Sequence, residues 1–70
     1  MPLTIAPLGK ELTIQKVVTD EKSKRHLQNL GVTVGGVVTI LSASGGDVVI
    51  LVKEGRIALN RLTATRIFVA

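Results

Sequence analysis

The chain has 70 residues, no cysteine, one histidine and a formal net charge of +4, which excludes a multidomain enzyme, a disulfide scaffold, a thiolate nucleophile and a closed one-chain zinc site. Hydrophobic residues make up 46% of it, with one aromatic, so a dense aliphatic core or association must stabilise a domain that buries only about 60% of its unfolded surface. The longest apolar run, Val48 to Val52, is far short of the roughly 20 residues of a membrane span.

The opening segment, Pro2 to Gly9, carries two prolines and a glycine and reads as an irregular lead-in anchored to the core by Leu3, Ile5 and Leu8. It has neither the basic start nor the long apolar stretch of a signal peptide. A soluble cytoplasmic protein is expected. Glu11 to Val18 reads as the first strand, with Leu12 and Ile14 alternating with Thr13 and Gln15. The alternation slips at Lys16 and resumes at Val17, which calls for a bulge or sharp bend. Asp20 to Leu30 is the one helix candidate. Asp20 caps its start, Glu21 favours the helix dipole, and Leu27 and Leu30, with Ser23 a turn earlier, mark its buried stripe. Gly31 suits the left-handed position after the helix, with Val32 packing back on Leu27 as in a Schellman motif.

Three strand-like runs follow Gly35-Gly36. Val37 to Ala43 is joined to Val48 to Lys53 by the turn Ser44-Gly45-Gly46-Asp47. Glu54-Gly55 reads as the next two-residue turn, leading into Arg56 to Asn60 with Ile57 and Leu59 on one face. Arg61 to Thr65 reads as a short helical turn, and Arg66 to Val69 as the closing strand. The expected fold is mainly β, a small barrel of about five short strands with one short α-helix after the first strand; curling removes most open edges. The second and third strands are apolar on both faces. Val38, Ile40, Val48, Ile50 and Val52 alternate with Val37, Leu41, Val49 and Leu51. The surplus face must be covered by the lead-in, by the helix or by another molecule.

No catalytic set emerges. The five carboxylates fall at strand ends, in the helix cap and in turns, and His26 has no nucleophile spaced to pair with it. Gly31 and Gly36 have phosphate-loop spacing, but Val37 stands where that loop requires lysine. Neither cofactor nor resident metal is expected. Lys22, Lys24 and Arg25 on the helix, with Arg56, Arg61 and Arg66 near the last strands, form a candidate basic patch. Barrels that hold single-stranded nucleic acid stack bases on aromatics, and only Phe68 is available. Nucleic-acid binding is therefore an alternative to contact with a protein and not the first expectation.

The run from Leu27 to Leu41, Leu-Gln-Asn-Leu-Gly-Val-Thr-Val-Gly-Gly-Val-Val-Thr-Ile-Leu, resembles the Leu-x-x-Leu-Gly-apolar-x-x-Gly signature and following strand of the ferrous iron transport protein A (FeoA) family. Arg56-Ile57-Ala58-Leu59, Ala64 and Ile67-Phe68-Val69 resemble its closing stretch, and Leu3, Leu8 and Gly9 before the first strand fit its start. The resemblance spans nearly the whole chain and implies an SH3-like barrel. It also implies a cytoplasmic accessory role in bacterial ferrous iron uptake, through the cytosolic part of the GTPase-coupled ferrous iron transporter, ferrous iron transport protein B. It carries over no catalytic residues. The same barrel closes metal-dependent repressors of the diphtheria toxin repressor type, so self-association is a further alternative. The chain has no helix-turn-helix region, and a stand-alone protein is expected. For the partner contact the sequence singles out Val49 and Leu51 on the surplus face, with Lys24 and Arg25 on the helix for charge steering.

Overall fold

The structure is a computed structural model describing residues 1–70. A 3₁₀ turn, Leu3–Ile5, precedes β1 (Glu11–Val17), α1 (Glu21–Asn29), β2 (Val37–Ser44), β3 (Asp47–Val52), β4 (Gly55–Leu59), α2 (Arg61–Thr65) and β5 (Ile67–Val69). All strand pairs are antiparallel, in the order β4-β3-β2-β1-β5. The mainly-β barrel with a helix after the first strand is as expected from the sequence.

The slip of alternation at Lys16 marks a real irregularity. The β1–β5 register shifts between Ile14 and Lys16, so Ile14 and Val17 both point inward. The strand bends there. Glu11 to Thr13 pair with β2, while Ile14, Lys16 and Val17 pair with β5. A second shift, between Ile40 and Ser42 of β2, left no mark in the sequence, because no inward apolar residue follows Ile40 in that strand to reveal it.

All 15 buried residues are apolar and form one cluster. Val38, Ile40, Val48, Ile50 and Val52 supply its sheet side, as the alternation predicts. The lead-in anchors by Leu3, with Ala6 packed partly buried against the core. Ile5 is 71% exposed and Leu8 56%, a correction to the expectation that all three apolar residues face the core. Only one side of a three-residue turn reaches the barrel, and Leu8 lies beyond that turn. Met1 and Pro2 instead extend the sheet past β5, by a Pro2–Phe68 bridge and a bond from the Val69 N–H to the Met1 carbonyl.

Helix α1 is as short as its caps dictate. The Asp20 carboxylate accepts from the Ser23 N–H at 3.1 Å. At the other end the Val32 N–H bonds the Leu27 carbonyl and the Gly31 N–H bonds the Gln28 carbonyl, with Gly31 at φ +97°. This is the Schellman pattern read from the sequence. The buried stripe is narrower than expected, since only Leu27 is buried, Leu30 is half-buried and Ser23 is exposed. The last hairpin also differs by one residue. Val52 pairs with Gly55, so Lys53 and Glu54 make the turn and Gly55 opens β4 at φ +130°.

Candidate interaction surfaces

The outward face of β2 and β3 is not covered by the chain. Val37 is 54% exposed, Leu41 40% and Leu51 42%, while Val49 is half-buried. Register explains the arrangement. Leu51 lies opposite Thr39 of β2 and Arg56 of β4, and Val49 opposite Ser42 and Ala58. Small or polar neighbours leave these aliphatics in water. Leu51 and Val37 line a groove of about 600 Å³ together with Gln28 and Gly31 at the end of α1 and with Glu11, Lys53 and Glu54. Val49 lines a separate depression of about 300 Å³.

Of the four residues singled out from sequence, Val49 and Leu51 therefore share a sheet face. Lys24 and Arg25 line none of the four grooves. Arg25 is exposed and Lys24 half-buried. The helix cations stand apart from the apolar pair and not around it.

A groove of about 630 Å³ runs between α1 and α2. The Val18 N–H bonds the Arg66 carbonyl at 2.8 Å, which draws the β1–α1 connection against the α2–β5 junction. Leu27 lies in the groove wall, and Lys22, His26 and Arg66 contribute its basic groups. Leu62, 66% exposed, projects from α2. It also lines an adjoining groove of about 520 Å³ with Arg61 and Arg66. Both acids here serve the backbone. The Ser23 hydroxyl and N–H hold the Asp20 carboxyl below its usual range, and Asp47 accepts from the Arg61 N–H at 2.7 Å. Asn60 caps α2 through the Thr63 N–H at 2.9 Å. Sequence reading gave Asp47 only a turn role. Its bond ties the β2–β3 hairpin to α2 across 14 residues, a link that only the folded chain displays.

The remaining chemistry is sparse. Histidine, aspartate and glutamate form no group of three able to hold a metal ion. Phe68 is half-buried, with the Lys16 Nζ 5.1 Å above its ring, so its accessible face already meets a cation. No helix is long and apolar enough to cross a membrane.

No curated protein matches the chain. Solved structures do. An iron uptake regulatory protein (FeoA) superposes with a TM-score of 0.88 at 23% identity, over 99% of this chain and 93% of that one. A FeoA protein from Chlorobium tepidum gives 0.86 at 20% identity, over 99% and 68%. A manganese-dependent transcriptional repressor gives 0.88 at 16% identity, but this chain spans only 40% of it. At such identities these likenesses establish the fold, the same SH3-like barrel. The model of the FeoA domain matches residues 1–70, and the chain belongs to the FeoA domain family.

Proposed function

We propose that this chain is a cytoplasmic accessory protein of bacterial ferrous iron uptake that binds and modulates the cytosolic part of the GTPase-coupled ferrous iron transporter. Membership of the FeoA domain family supports the iron-uptake setting. One observation supports action by contact: Val37, Leu41 and Leu51 remain in water on adjoining strands although the chain has a complete apolar core. Several large aliphatics left exposed on one sheet face favour contact with a partner. Val49 and Leu51 supply the apolar contact, and Lys24 and Arg25 steer the encounter from the helix. The chain acts by binding and not by catalysis.

Calorimetric titration into the isolated cytosolic domain of the cognate transporter, with and without a GTP analogue, tests this. Saturable heat is expected, weakened at least tenfold by Leu51→Asp. Lys24→Glu with Arg25→Glu should slow association and flatten its salt dependence with little change in dissociation. Unchanged affinity for Leu51→Asp removes the sheet face from the proposal. No binding up to about a millimolar, to the domain or to the full transporter in detergent, overturns the reading itself.

A further inference from the structure

The groove between α1 and α2 shares no lining residue with the Leu51 groove and is built differently. Its apolar parts are Leu27 in the wall and Leu62 standing 66% exposed. Lys22 and Arg66 line the same groove, and Arg61 adds a third cation where the adjoining groove meets it at Leu62 and Arg66. Asp20 lines the first groove and Asp47 the second, and each keeps its charge while accepting from the Ser23 or Arg61 N–H, so three cations stand against two carboxylates. The cations thus flank an exposed leucine in a chain of net charge +4. That pattern favours an occupant that is negative and carries an apolar anchor.

We infer that this groove is a second docking site, for an acidic segment of a protein that seats an aliphatic side chain against Leu62. Charge complementarity selects the acid, and the exposed leucine selects an anchor that a nucleic acid backbone lacks. A single-stranded nucleic acid would instead need aromatic platforms. The one aromatic of the chain, Phe68, lies under Lys16 and outside the groove.

The test is an amide chemical-shift titration of the ¹⁵N-labelled chain with a synthetic peptide of glutamates flanking a central leucine. Saturable shifts are expected at Lys22, His26, Leu62 and Arg66, weakening as salt rises. Leu62→Ser should weaken binding at least fivefold, and Lys22→Glu with Arg66→Glu at least tenfold. Each replaces side chains exposed in the fold, and an unchanged spectrum elsewhere verifies folding. Leu51→Ser should leave this titration unchanged, which separates the site from the sheet face proposed for the transporter. Three results overturn the inference: no shifts up to about a millimolar peptide, shifts confined to β2 and β3, or tighter occupancy of the same residues by a single-stranded RNA oligonucleotide.

Discussion

Gly45 and Gly46 form the tip of the β2–β3 hairpin, at φ +60° and +92°, yet the fold treats them differently. A Cβ on Gly45 meets nothing within 4 Å, whereas one on Gly46 collides with Cγ and Cδ of Arg61 and stands 3.0 Å from its Cβ. Alanine at Gly45 should therefore cost only the left-handed backbone penalty, about 1–2 kcal/mol. Alanine at Gly46 adds the displacement of Arg61 near its root, about 1–3 kcal/mol by analogy with overpacking. The sum, about 2–5 kcal/mol, is a large share of the about 4–10 kcal/mol available to 70 residues at about 0.05–0.15 kcal/mol each. The chain lacks tryptophan and tyrosine, so urea unfolding is followed by far-ultraviolet circular dichroism, with the slope checked for two-state behaviour. Arg61→Ala in the Gly46→Ala background should recover the steric part and leave the backbone part. Equal costs at the two glycines, or no recovery, would refute the packing of Arg61 over the hairpin, and with it the placement of that cation beside Leu62.

Neighbouring residues on β3 should respond oppositely to truncation. Ile50→Ala empties a fully buried position and should cost about 2–5 kcal/mol, whereas Leu51→Thr, on the exposed face, should cost about 1 kcal/mol or less; similar losses in urea midpoint would mean that the face is covered in the free chain. The Asp20 carboxyl is held below its ordinary value of 3.8, so its capping contribution is complete above that value and is lost as pH falls through the lowered one. Asp20→Asn, which keeps a capping oxygen without the charge, should flatten the acid limb of the stability curve; an acid limb matching the parent's would remove the charged cap from the account.

Much of this fold was legible because its constraints are local. A strand period of two exposes the β1 bulge as soon as Lys16 occupies a position due to point inward. Leu27, Gly31 and Val32 announce the end of α1 within six residues. The errors arose where a local pattern had two solutions. Glu54-Gly55 reads as a turn, but Gly55 serves β4 by its positive φ while Lys53 and Glu54 turn the chain. Ile5 and Leu8 are as apolar as Leu3, and nothing in their spacing tells which one the barrel can reach. The surplus sheet face was legible for the same reason as the core, since alternation assigns both sides of a strand at once. The helix groove was not. Lys22, Arg61 and Arg66 are visible in sequence as basic residues, but only the fold brings Lys22 to the other two, where the Val18 N–H bonds the Arg66 carbonyl and joins the two segments.

Helix α1 connects the two surfaces physically. One side of it, through Lys22, Ser23, His26 and Leu27, lines the helix groove, while Gln28 and the Gly31 that follows it line the groove of the sheet face. Nine residues are too few for a helix to hold itself in water, where about 12–15 are marginal. Its position thus rests on two caps and on Leu27, its single buried side chain. Leu27→Ala should cost about 2–5 kcal/mol. Its local effect should fall first on α1, whose amides should exchange with solvent well before those of β2 and β3. Binding at both surfaces should weaken together in that variant, because each takes a wall from the same helix. If α1 keeps its protection, or if only one surface loses its ligand, the helix is anchored by contacts other than Leu27, and the two grooves are independent features of the barrel.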